Sequence, residues 1–214
     1  MTDHDELLLV AAWRSPPGPP APAGWRVEPV LADQSALDRA GSRGRTPPPF
    51  HTLLWRLADP ARPATTGVLA PPPELAGDLE RWVMLRLHRR PAWDDTLDTG
   101  VRPQVKQVSF VKAQPELSAD EFSRHYREHV DVARVHHPGI VRYAQHDVLD
   151  AAGDAGVGVD GVSELWFADE DTLVARFYAG PDSVAVVRAD NREYIDFSGT
   201  LSLLVRPADD PGTA

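Results

Sequence analysis

The sequence predicts an α+β fold, on three observations. Over 104–207, apolar runs of strand length alternate with helix-length segments in the order β-α-β-β-α-β. The longest helix marks its own start, with Ser118 and Glu121 at the S-x-x-E spacing of a capping box. A Pro138-Gly139 pair then stops that helix and turns the chain into the next strand.

The elements follow in order. Residues 6–13 (ELLLVAAW) read as a buried strand, and 14–23, with five prolines, as a loop or stiff linker. A short strand is expected over 25–31, a weak helix over 32–40 with Asp33 as its cap, and a Pro/Gly/Arg loop over 43–50. Strand-like 51–57 follows, then Pro71-Pro72-Pro73 ahead of a short helix at 74–79. Residues 81–88 alternate apolar and basic, as a half-buried strand does. The polar, turn-rich 91–103 sets the expected boundary between an N-terminal half, 1–103, and a domain at 104–207, with 208–214 as a tail. In that domain, strands are expected at 104–112, 139–149, 162–167 and 200–205, and helices at 118–135, 169–178 and 183–190.

This order is the split βαβ, or ferredoxin-like, arrangement: a four-stranded antiparallel sheet with its helices on one face. The other face is bare and needs a partner. The first half has the element order of a worn second copy of the unit. Either the two halves cover each other's sheets, or a homodimer does the same job.

Bulk composition narrows the function. A net charge of −10 with no basic, aromatic-studded stripe argues against nucleic acid. No apolar run has the length to span a bilayer. The acidic start MTDHDELLLVAAW lacks the basic region and cleavage site of a signal peptide, so a cytoplasmic location is expected. Without a single cysteine the chain has no disulfide, thiol nucleophile or zinc-thiolate site. No phosphate loop, G-x-G-x-x-G, G-x-S-x-G or H-E-x-x-H occurs, so nucleotide and flavin sites have no support and no cofactor is expected. His136-His137 does not read as a metal tract, because adjacent residues do not aim at one ion and no further ligand follows at a recognised spacing; it reads as a solvated helix end.

The long helix carries the candidate chemistry. Phe122, Tyr126, His129 and Ala133 share one face, with Arg124, Arg127, Asp131 and Arg134 opposite and His125 at the stripe's edge. His129 therefore points at whatever the helix covers. On the strands, His146 should face away from Tyr143, and Leu165 and Phe167 should lie under the helices, opposite Glu164 and Trp166.

The residues of the second half resemble an EthD domain. The resemblance is carried by Phe110-Val111-Lys112, the LSADEF helix entry, Tyr126-Arg127-Glu128-His129, Pro138-Gly139 with Arg142-Tyr143, Gly161-Val162 with Glu164-Leu165-Trp166-Phe167, and Tyr194-Ile195-Asp196. It implies a dimeric α+β barrel fold, in a superfamily of small cofactor-independent cyclases, isomerases, dehydratases and monooxygenases, several acting on aromatic polyketides. This half is similar as well to 4-methylmuconolactone methylisomerases, whose helix histidine and post-turn tyrosine match His129 and Tyr143. Many EthD sequences carry the histidine one position later, at Val130 here, and Leu165 replaces a cysteine of the methylisomerase strand.

The expected function is proton transfer on an aromatic or polyketide-derived small molecule, giving cyclisation, dehydration or isomerisation. His129 would be the general acid/base and Tyr143 the oxyanion donor. Phe110, His125, Tyr126, Trp166 and Phe177 are the candidate substrate-binding residues. Two alternatives stand beside this: cofactor-free oxygenation of an anthrone-like phenol, and a non-catalytic ligand-binding or accessory protein with His129 packed in the core. A homodimer is expected unless the N-terminal half completes the barrel.

Overall fold

The capping box forms as its spacing predicts: Ser118 Oγ accepts from the Glu121 amide at 3.3 Å, and the Ser118 amide donates back to Glu121 Oε2 at 2.9 Å. Our computed structural model describes residues 6–13, 23–42, 50–57, 69–70, 81–153 and 158–208. The expected helix at 74–79 lies outside them, as does the proline-rich 14–22.

The described residues form strands β1 (Glu6–Trp13), β2 (Arg26–Pro29), β3 (Thr52–Leu57), β4 (Arg81–Asp94), β5 (Val105–Val111), β6 (Arg142–Gly153), β7 (Gly161–Phe167) and β8 (Leu201–Val205). The helices are α1 (Ser35–Arg39), α2 (Thr96–Thr99), α3 (Ala119–His136), α4 (Glu170–Arg176) and α5 (Pro181–Arg192). None of them is long and apolar enough to cross a membrane.

All eight strands join one antiparallel sheet in the order β2-β3-β1-β4-β6-β7-β5-β8. Its two four-stranded halves have the same internal plan. Read from β8, the second half runs fourth, first, third, second strand; read from β4, so does the first half. That is the ferredoxin-like order, present twice.

The sheet also closes. Val30, just past β2, bridges Val205 of β8, with the Leu31 amide on Leu204 O at 2.9 Å and the Arg206 amide on Pro29 O at 3.0 Å. The other seam is β4 against β6, paired from Val83–Gly153 to Asp94–Arg142. The fold is thus of the dimeric α+β barrel type, and the N-terminal half completes the barrel within one chain. The sheet face that would have called for a second subunit is covered internally.

One stretch differs from its sequence reading. The polar 91–103 begins as strand, because β4 runs on through Pro91 to Asp94. Register shifts at Arg86/Leu87 and Pro91/Trp93 accommodate this, and a bulge tolerates a proline that has no amide to donate. The one-turn α2 follows and ends on Gly100, whose φ of 66° is left-handed.

Strand alternation sorts side chains into two compartments. The barrel interior holds Phe50, Leu53, Trp55, Val83, Leu85 and Leu87 from the first half, packed on Val108, Phe110, Val162, Leu203 and Val205 from the second. The outer face of the second half lies under helices, where Leu165, Phe167 and Leu204 meet Ala133, Leu173 and the α1 residues Ala36 and Leu37.

An ionic cluster is built into the interior. The fully buried Lys106 ammonium pairs with Glu28 from the first half and with Glu164 Oε2 at 2.5 Å from the second. Trp55 Nε1 donates to Glu28 at 2.8 Å, and His146 Nε2 donates to Glu164 Oε1 at 2.9 Å. Burial alone would raise the Glu164 carboxyl, but Lys106 and His146 outweigh it and hold that group well below the usual carboxylate range.

Candidate functional site: a cavity between sheet and helices

A cavity of about 360 Å³ lies between the outer face of the second-half sheet and helices α3 and α5. That volume is at the small end for a small-molecule site. Three groups of residues make it: aromatic walls, a polar floor on the central strands, and two histidines from α3 and its C-terminus.

His129 reaches the cavity from the apolar face of α3. Its Nδ1 donates to Asp190 Oδ2 at 2.6 Å, from α5. A carboxylate accepts but cannot donate, so this contact fixes the neutral ring as the Nδ1–H tautomer and leaves Nε2 as a lone-pair base. The same carboxylate would stabilise the imidazolium after protonation, the arrangement that orients the base in hydrolase triads.

Tyr143 comes from the start of β6 and lines the same cavity. Burial pushes its phenol up to about 12, so it stays protonated. Its oxygen accepts from Gln145 Nε2 at 2.9 Å, and the Ser163 hydroxyl interacts with the same phenol. Beside it, Ser163 Oγ and the Tyr126 hydroxyl share a 2.6 Å hydrogen bond. The Tyr126 ring lies over Gly161, where a Cβ would meet its Cε1 at 2.7 Å, so a side chain at 161 would push the ring off that hydroxyl.

The sequence-predicted residues separate cleanly. His129, Tyr143, Tyr126 and Phe177 line the cavity together. His125 does not; its ring stacks on the far side of Tyr194 at 6.4 Å, at the rim. Phe110 and Trp166 must be moved to the other compartment, because even-numbered positions of β5 and β7 face the barrel interior. Phe110 packs on Phe50 there, and Trp166 lies 5.0 Å from the Lys106 ammonium.

Several residues of the site were missed by sequence reasoning. Asp190 sits 61 residues from His129, and no spacing rule links them. The polar floor, Gln107, Ser109, Ser163 and Ser202, did leave a signal: these positions face the helices, where strand alternation calls for apolar residues. Ser109 and Ser202 hydrogen-bond each other at 2.9 Å, and Gln107 Nε2 donates to Ser109 at 3.0 Å. Gln107 Oε1 is buried without a partner among the described residues, an acceptor open to a ligand donor. Arg188 and Arg192, one turn apart on α5, line the exposed side.

His137 is the largest revision. It is not a solvated helix end: it is only 4% exposed and lines the cavity. Burial lowers its pKa to about 4, so the ring is neutral. No group of three or more His, Asp or Glu side chains among the described residues is arranged to hold a metal ion.

One solved structure in particular supports the fold. The chain is similar to the crystal structure of an anthrone oxidase-like protein, with a TM-score of 0.52 and 12% identity over 97% of this chain and 92% of that one. It is similar as well to a monooxygenase candidate from Lactobacillus acidophilus NCFM, with a TM-score of 0.49 and 8% identity over 95% of this chain and 93% of that one. No curated protein matches the sequence. Residues 114–198 match the EthD domain family model. That segment holds α3, the Pro-Gly turn, β6, β7 and α5, which supply His129, Tyr143 and Asp190, so most of the cavity lining falls within the stretch that matches the EthD domain.

Proposed function

We propose that the cavity binds a flat aromatic or polyketide-derived molecule and takes a proton from it without a cofactor. The observation that carries this is the His129–Asp190 pair at 2.6 Å on the wall of a cavity rather than in packed core. His129 Nε2 accepts an acidic C–H or phenolic proton, and Asp190 balances the charge that the ring gains. Tyr143, held protonated, donates to the oxyanion that develops on the substrate. Return of the proton to another atom completes an isomerisation; its delivery to a departing hydroxyl or an internal carbonyl completes a dehydration or cyclisation.

A second reading uses the same first step. The carbanion of an anthrone-like phenol reacts with dioxygen, which supplies the oxidant, and the cavity serves a monooxygenase. The whole-chain likeness to an anthrone oxidase-like protein favours keeping it.

Anthrone is a probe for both. Exchange of its C10 protons in D2O, followed by NMR under argon, reports the proton abstraction alone. The protein should accelerate that exchange, and His129→Ala should lower the acceleration by about 10²–10⁴-fold with the thermal midpoint kept. An unchanged rate in the variant removes His129 from the chemistry. Oxygen uptake under air then separates the second reading from the first. No acceleration, with no ligand taken up, would return the chain to a non-catalytic accessory role.

A further inference from the structure

The cavity holds a second imidazole, and its circumstances are the reverse of the first. His137 closes α3, with its amide on Ala133 O at 2.9 Å and its carbonyl accepting from the Ile140 amide at 3.2 Å. The adjoining turn is clamped to the end of α4, where the Gly139 amide meets Arg176 O at 2.9 Å and a Cβ on Gly139 would collide with that oxygen at 2.8 Å. The ring packs on Phe177 at 4.6 Å and Tyr178 at 5.1 Å, and both line the cavity. Its position is therefore fixed from three sides.

The hydrogen bonding fixes its chemistry as well. His137 Nδ1 donates to the Phe177 carbonyl, which can only accept. Nε2 is left with a bare lone pair and no partner among the described residues. Unlike His129, the ring has no carboxylate to balance a charge, and its surroundings are buried and largely apolar. An imidazole so placed on a cavity wall resists taking a proton but accepts a hydrogen bond.

We infer that His137 is a specificity-determining residue: its Nε2 accepts a hydrogen bond from a hydroxyl of the bound aromatic, so the cavity selects hydroxylated ligands over their deoxy counterparts. This rests on the reading that the cavity takes a flat aromatic molecule. The two histidines then divide the work. His129 exchanges protons with the substrate, and His137 orients it by one of its hydroxyl groups.

The test compares two probes, 2-naphthol and naphthalene, in binding titrations with the intact protein. 2-Naphthol should bind about tenfold more tightly, the difference that one hydrogen bond supplies. His137→Phe keeps a flat ring but removes the acceptor, and should abolish the preference while naphthalene still binds. Long-range 1H–15N spectra of the wild-type protein give a second readout, independent of whether the variant folds. The His137 Nε2 resonance should move with 2-naphthol and stay put with naphthalene. Equal binding of the two probes, a preference that survives in the variant, or an unmoved Nε2 resonance would overturn the role of His137 and leave the aromatic cavity standing. Failure of both probes to bind would overturn that reading, and this inference with it.

Discussion

Among the described residues, one hydrogen-bonded imidazole–carboxylate pair lies in each compartment, and the two uses are unlike. In the barrel interior, His146 and Glu164 are almost wholly enclosed, at 0% and 4% side-chain exposure, and Lys106 and Trp166 crowd the space beside them. Under the helices, His129 and Asp190 meet at a similar distance, at 9% and 27% exposure, beside an open cavity. The chemistry of the pair is the same. What differs is whether a third molecule has room to approach. On the proposed function, a histidine bonded to a carboxylate is a brace in one setting and a base in the other, and the neighbouring volume decides.

The comparison breaks most visibly at Lys106. Lys106→Met leaves Glu28 and Glu164 facing each other in the interior without the ammonium between them, with the partly exposed Arg26 at 3.6 Å from Glu28. Removing one partner from such a cluster costs about 3–5 kcal/mol, so urea unfolding should show a large loss of stability. Adding Glu28→Gln and Glu164→Gln should recover much of it; a triple variant no more stable than Lys106→Met would show that the charges are not the cause.

The same cluster is expected to set the acid limit. Glu164 has a folded-state pKa depressed below the ordinary value of 4.5. Its contribution to stability is therefore complete above that ordinary value and is lost as pH falls through the depressed one. Lys106→Met removes the main cause of the depression, so the acid-unfolding midpoint of the variant should move to higher pH. An unmoved midpoint would mean that other carboxylates set the limit.

The smaller effect lies in the other compartment. Asp190→Asn keeps the side chain's size but no longer stabilises an imidazolium. The anthrone exchange rate should fall by about 10²-fold, equivalent to roughly 2.7 kcal/mol of transition-state free energy. Because Asp190 is partly exposed, the thermal midpoint should change little. A variant that lost stability instead of rate would place His129 and Asp190 in the same structural class as His146 and Glu164.

Much of this was legible in the residues. The capping box, the Pro-Gly stop and the 3.6-residue stripe placed His129 on the covered face of α3, and period-two alternation put Leu165 and Phe167 under the helices with His146 opposite Tyr143. The choice of Phe110 and Trp166 as substrate-binding residues went against that alternation. They were chosen for being aromatic, whereas their parity assigned them to the interior.

The sequence by itself determined what local forces determine: where helices start and stop, which side chains share a face, and the ferredoxin-like order of the second half. Those depend on backbone geometry and on neighbours a few residues away. Only the tertiary structure decided that the first half closes the barrel, that Asp190 rather than backbone holds His129, and that His137 is buried beside it. Each of these depends on contacts between distant segments, formed when sheet and helices pack, and residue order carries no local mark of them.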